Sequence, residues 1–125
     1  MTREDKELLL KDLSYRIPYG VIVNVNGISN AKLITVSWYG AVGVDDSTNL
    51  YSLSEVKPYL FPLSSMTDEE KEEYCQLQQR IIYNYKGVVN EDVTKYINWC
   101  YKKHLDINNL IPMGLAINAT NLNIY

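Results

Sequence analysis

Apolar residues change their period several times along this chain. Leu9, Leu10, Leu13 and Ile17 fall within about 100° of arc at helical spacing. Thr2 stands at a capping position with Asp5 three residues on, and Pro18 ends the run, so a helix is predicted over residues 2–17. From Gly20 the period drops to two. Val21, Val23 and Val25 share one side of a strand; Ile22, Asn24 and Asn26 share the other. Asn26-Gly27 signals a turn, and the Ser29-Asn30 that follows predicts a connection longer than two residues. Residues 32–39 read as a second strand, with Ile34, Val36 and Trp38 on one side and Leu33, Thr35, Ser37 and Tyr39 on the other. Gly40 and Gly43 predict a bend or turn before a short third strand. Residues 45–49 predict a turn, and residues 50–53 a last short strand. A sheet over residues 20–53 is thus expected to be a small curved antiparallel sheet, or a partly open barrel, of three to four strands.

The second half is helical. Pro58 and Pro62 lack an N–H and are not expected inside a ladder or a helix, so residues 54–66 read as an extended connector. Tyr59, Leu60, Phe61 and Leu63 are its apolar groups. Thr67 and Glu70 have capping-box spacing, and Asp68, Glu69 and Glu70 match the positive end of a helix dipole. Tyr74, Leu77, Ile81 and Tyr85 then repeat over a helix expected at 67–86, with Gly87 as its stop. Asn90 is expected to cap a third helix over 90–104. Its inner arc carries Val93, Tyr96, Ile97, Cys100, Tyr101 and His104. In the Asn-rich tail, residues 105–125, the strip Leu110, Ile111, Met113, Leu115, Ala116 and Ile117 is expected to dock while the last few residues stay mobile. The prediction is one α+β domain: an N-terminal helix, the small sheet, two helices packed on it and a docked tail.

Composition narrows the function. A chain of 125 residues, 46% hydrophobic and 22% charged, suits a single domain with one core. A net charge of −3 argues against a general phosphate-backbone binder. No apolar run reaches membrane length and residues 1–12 lack a signal-peptide pattern, so a cytoplasmic protein is expected. Eleven tyrosines stand against one phenylalanine. Together with abundant Asn, Ile and Lys they follow the codons of an AT-rich genome, although tyrosine also suits interfaces.

Little catalytic chemistry is visible. Cys75 and Cys100 fall in separate helices without a CxxC partner and read as buried free thiols. His104, the single histidine, lies on an apolar arc and reads as a core or helix-end residue. No zinc-ligand set exists, no GK[ST] follows Gly40 and Gly43, and Asp45-Asp46 reads as a turn. No catalytic residue, cofactor or metal is expected. Trp99 lies roughly 120° from Val93 around its helix, with Lys95, Lys102 and Lys103 on that outer side. A tryptophan ringed by lysines can anchor a protein partner or stack on a base, so Trp99, Lys95, Lys102 and Lys103 form the candidate partner-binding group.

Three blocks carry a resemblance. They are the segment YSLSEVKPYLFPLSSMTDEEKEEY at 51–74; Lys11-Asp12-Leu13 leading to Ile17-Pro18-Tyr19-Gly20-Val21; and His104-Leu105-Asp106 leading to Leu110-Ile111 and Gly114-Leu115-Ala116-Ile117. Over about half the chain they resemble a family of small uncharacterised proteins carried by gut Bacteroidales, their phages and other mobile elements. Phe61 stands where that family often has arginine, and Ile107-Asn108-Asn109 replaces a Tyr-Arg-Gly-like turn. The resemblance implies mobile-element origin and a role beside host or phage proteins, and it transfers no activity. The expected function is therefore a non-enzymatic protein-interaction module whose partner is a host or phage protein. One alternative is a nucleic-acid-associated small barrel using aromatic and lysine contacts. A second is a hydrolase that needs only two carboxylates.

Overall fold

The structure, a computed structural model, describes residues 1–26, 28–45, 47–83 and 90–125. Its elements run α1 (Arg3–Arg16), β1 (Ile22–Val25), β2 (Ile28–Val36), β3 (Ala41–Val44), β4 (Leu50–Ser52), β5 (Val56–Leu60), α2 (Asp68–Tyr83), α3 (Asn90–Lys102) and β6 (Ile117–Asn118), with 3₁₀ turns at Ile17–Tyr19, Leu53–Glu55 and Leu63–Ser65. The α+β class holds. The sheet is open, mixed and six-stranded, in the order β4-β3-β2-β1-β5-β6. It is larger than the three to four strands expected, and it is not closed.

Both additional strands come from segments read as irregular. The connector supplies β5, which pairs antiparallel with β1, and the tail supplies β6, parallel to β5. Pro58 is tolerated inside this ladder because of register. The Asn26 N–H donates to the Glu55 carbonyl at 2.8 Å, which makes Asn26 and Glu55 a hydrogen-bonded pair. Three residues along, Val23 and Pro58 then form a non-hydrogen-bonded pair, so β1 asks for no N–H from Pro58. Its nitrogen faces the β6 side, where pairing begins only at Tyr59.

The β1–β2 connection is tighter than expected. Val25 pairs with Ile28, so two positions separate the paired residues, and Asn26 adopts a left-handed φ of 50°. Gly27 lies outside the described residues, as do Asp46, Tyr85 and Gly87. Ser29 and Asn30 consequently belong to β2, and Trp38 and Tyr39 fall beyond its end, in a turn. Between Leu33 and Thr35 the pairing with β3 shifts by a bulge. Gly43 sits within β3, not in a bend. A Cβ there would meet Thr35 Cγ2 at 2.7 Å, so the cross-strand approach demands glycine.

The core lies between α1 and one face of the sheet. Leu9 and Leu13 of α1 meet Val21, Val23, Leu33, Val42, Val56 and Leu60, and the tail closes the layer with Leu110, Leu115 and Ala116. A fully buried leucine or valine contributes about 1.5–3 kcal/mol. Thr2 caps α1 in a reciprocal capping box with Asp5. Thr67 does the same for α2: Thr67 N–H donates to Glu70 Oε1 at 3.0 Å, and Glu70 N–H to Thr67 Oγ1 at 3.2 Å. The expectation that both later helices pack on the sheet is corrected. α2 packs chiefly on α3, and α3 packs on α1. Cys75 is exposed on α2 rather than buried; Cys100 is buried.

Candidate functional site

Of the expected partner-binding group, Trp99 and Lys103 lie at the seam between α2 and α3. Trp99 is half-buried there. Its Nε1–H donates to Glu73 Oε2 at 2.9 Å, and its ring centroid lies 6.2 Å from that of Tyr74. Tyr74 in turn meets Tyr96 hydroxyl to hydroxyl at 3.0 Å and accepts from Gln78 Nε2 at 3.1 Å. Lys103 Nζ lies 6.0 Å from the Trp99 ring centroid and 4.0 Å from Glu70. Lys95 pairs with Glu91 at 3.3 Å, and Lys102 is exposed. Two of the three lysines thus face carboxylates, which lowers the positive potential the group can offer.

Sequence reasoning missed a more exposed tryptophan. In the β2–β3 turn Trp38 keeps 88% of its surface and Tyr39 keeps 67%, the two rings meeting edge to face at 5.6 Å. The turn is built locally: Ser37 N–H donates to the Ala41 carbonyl at 2.8 Å, Ser37 Oγ accepts from Ala41 N–H at 2.9 Å, and Gly40 takes φ 88°. Ile34 and Leu50 add exposed apolar surface on β2 and β4. The signal was present in the sequence as Ser-Trp-Tyr-Gly between two apolar runs, which reads as a turn as well as it reads as a strand end.

The strongest electrostatics are internal. Asp12 and Arg16, one helical turn apart on α1, are both fully buried. Arg16 binds Asp12 through Nε and Nη2, at 2.5 and 3.1 Å, and donates from Nη2 to the Leu105 carbonyl at 2.7 Å. Asn108 Nδ2 donates to Asp12 Oδ2 at 2.7 Å, and the Arg16 guanidinium lies 4.7 Å from the Tyr101 ring centroid. This centre locks α1 to the end of α3. That end is a Schellman closure: Leu105 N–H returns to the Cys100 carbonyl and His104 N–H to the Tyr101 carbonyl, with His104 at φ 56°. Tyr125 stacks on His104 at 3.7 Å, donates its hydroxyl proton to the Tyr59 carbonyl at 2.8 Å and accepts from Ile22 N–H at 2.9 Å. The last residues are therefore tied down at Tyr125, against the expectation of a mobile end.

Burial shapes the titration of these groups. It pulls His104 down to about 4, helped by the nearby Arg16 charge. It pushes the Cys100 thiol up to about 11 and the Tyr125 hydroxyl to about 12. Cys100 stays a thiol at neutral pH and is a poor nucleophile. His104 Nδ1 and Arg16 Nη1 are buried without a hydrogen-bond partner among the described residues. Among those residues no group of three or more His, Cys, Asp or Glu could hold a metal ion, and no helix is long and apolar enough to cross a membrane. Comparison with protein-family models, curated proteins and solved structures finds no match.

Proposed function

We propose that this protein works as a non-enzymatic protein-interaction module of phage or mobile-element origin, and that the Trp38–Tyr39 turn is its principal contact. The observation that carries the reading is the 88% exposure of Trp38 beside Tyr39. Large aromatic rings held in a hydrogen-bonded turn offer much apolar area with few rotamers to freeze, which is the character of interface anchors. A half-buried Trp99, already bonded to Glu73, has less to give. The inert Cys100 thiol and the low-pKa His104 support a non-catalytic role. The pairing of Lys95 and Lys103 with glutamates supports a protein partner over nucleic acid.

The test is capture of a stoichiometric partner from host lysate by the tagged protein, with and without nuclease. Trp38→Ala/Tyr39→Ala should abolish capture and leave the melting temperature unchanged, because both rings face solvent. Removing an anchor of this kind costs about 2 kcal/mol or more, roughly thirty-fold in affinity. Capture that survives the double variant overturns the assignment to this turn. Capture lost to nuclease and to Lys102→Glu/Lys103→Glu moves the nucleic-acid reading ahead.

A further inference from the structure

A cleft of about 450 Å³ opens between α1 and α3, within the size range of small-molecule sites. On the α1 side it lies beside the buried row, since Leu9, Asp12, Leu13 and Arg16 face the interior. α1 lines the cleft with Leu8, Lys11 and Tyr15, spaced at i, i+3 and i+7; α3 lines it from Thr94 to Tyr101, and Ile107 closes one end. One wall is aromatic: the Tyr15 and Tyr101 rings stack on each other at 5.6 Å with 14° between their planes, and Tyr15 is the exposed one of the two. Leu8, Ile97 and Ile107 make the rest of the lining largely apolar.

The polar groups at this cleft are one cation and several neutral side chains, Thr94, Asn98 and Asn108 among them. Lys11 is the only charged residue among those described as lining it, and it forms no ion pair with any described residue. The Tyr101 hydroxyl accepts from Asn108 Nδ2 at 3.4 Å and has no acceptor for its own proton among the described residues. Behind Tyr101 the fully buried Arg16 is paired with Asp12, so that pair adds no net charge to the cleft. The cleft thus presents one unpaired cation, Lys11, beside an aromatic and largely apolar lining, with no carboxylate among the described lining residues to oppose an anion.

We propose that the α1–α3 cleft binds a small planar aromatic carboxylate, its ring system against the Tyr15–Tyr101 wall and its carboxylate toward Lys11. The site is built by other elements than the Trp38–Tyr39 turn and does not depend on the interaction reading.

The probe is 2-naphthoate, with 2-naphthamide as its uncharged isostere, followed by amide chemical shifts of the full chain. 2-Naphthoate should give saturable shifts confined to α1, α3 and the loop around Ile107. 2-Naphthamide should bind about three- to five-fold more weakly, the size of an exposed charge contact. Lys11→Met should erase that difference, and Thr94→Trp, at an exposed position on the rim, should block both probes. Asn98→Trp, also exposed, repeats the block should Thr94→Trp disturb the fold. No saturable shift at millimolar 2-naphthoate, equal binding of the two probes, or binding that survives the blocking variant overturns the proposal.

Discussion

Asp12 and Arg16 show how a single pair of residues can decide whether a helix is held. Each is completely buried, and each satisfies groups from outside α1: Arg16 the Leu105 carbonyl, Asp12 the Asn108 amide. Asp12→Ala leaves an uncompensated guanidinium in the interior and should cost about 3–5 kcal/mol in urea unfolding, whereas Asp12→Leu/Arg16→Met should recover much of that loss. A single-variant loss below 1 kcal/mol would mean that water reaches the pair. The pair was visible in the sequence, since at 100° per residue Arg16 falls between Leu9 and Asp12 on the apolar arc, but a periodicity search for apolar residues passes over it. The asparagines carry a similar lesson. Asn26, Asn109, Asn121 and Asn123 all take positive φ, which asparagine tolerates better than most residues, so their abundance has a backbone reason beside codon usage. His104 adds a pH dependence. Above about 6.5 the imidazole is neutral in both folded and unfolded chains. Between about 6.5 and about 4 the unfolded chain takes up a proton that the folded chain refuses, so stability falls as pH drops through that window and the loss levels off below it. The ring is not sealed from solvent, so the loss is on the order of 1 kcal/mol. His104→Asn keeps a residue suited to the left-handed position and removes the titrating group. Its stability profile should be flatter than the parent's across that window, and parallel profiles would refute the assignment.

Elements with local signatures were the legible ones. The Thr2–Asp5 and Thr67–Glu70 boxes place the starts of α1 and α2 where their sequences put them. The alternation at Val21, Val23 and Val25 places three buried side chains on one face of the β1 segment. β5 and β6 were not legible, because their pairing is decided by register and by distant residues: Pro58 is harmless only where β1 needs no N–H, and Ile117 becomes a strand only against Tyr59. The contact geometry of the candidate sites was equally hidden, since whether Trp99 or Trp38 is covered depends on how α2 meets α3 and where β2 ends. Trp99 belongs to that α2–α3 seam. Trp99→Ala removes the bond to Glu73 and the contact with Tyr74 and should cost about 2 kcal/mol, less than the 3–5 of a fully buried tryptophan because the residue is only partly buried. Thr67→Ala should cost about 1 kcal/mol through the lost cap. Thermal unfolding of the two single variants checks both values, and the double variant should depart from their sum, since Thr67 bonds Glu70, Glu70 faces Lys103 and Lys103 lies over the Trp99 ring.

At the scale of the molecule the tail holds the two halves together. Asp106 accepts from the Leu110 and Ile111 N–H groups at 2.7 and 2.9 Å and shapes the turn that sends Leu110 into the core. Leu115 and Ala116 follow it, β6 adds the last strand beside β5, and Ala119 N–H bonds the Leu60 carbonyl at 2.8 Å. Tyr125 then bridges β1, β5 and the end of α3 through Ile22, Tyr59 and His104. Removing residues 115–125 strips one buried leucine, two buried alanines, the β6 pairing and the Tyr125 bridge at once. The leucine alone is worth about 1.5–3 kcal/mol against about 5–15 for a whole domain, so with the alanines, the β6 pairing and the bridge added the loss becomes a large fraction of the stability of the fold. The truncated chain should lose its cooperative melt and be digested rapidly by protease. Tyr125→Ala, which removes the bridge but leaves β6 and the core residues, should still melt cooperatively at a lower temperature. A truncated chain that melts like the parent would mean that the core of α1 and β1–β5 stands without its tail.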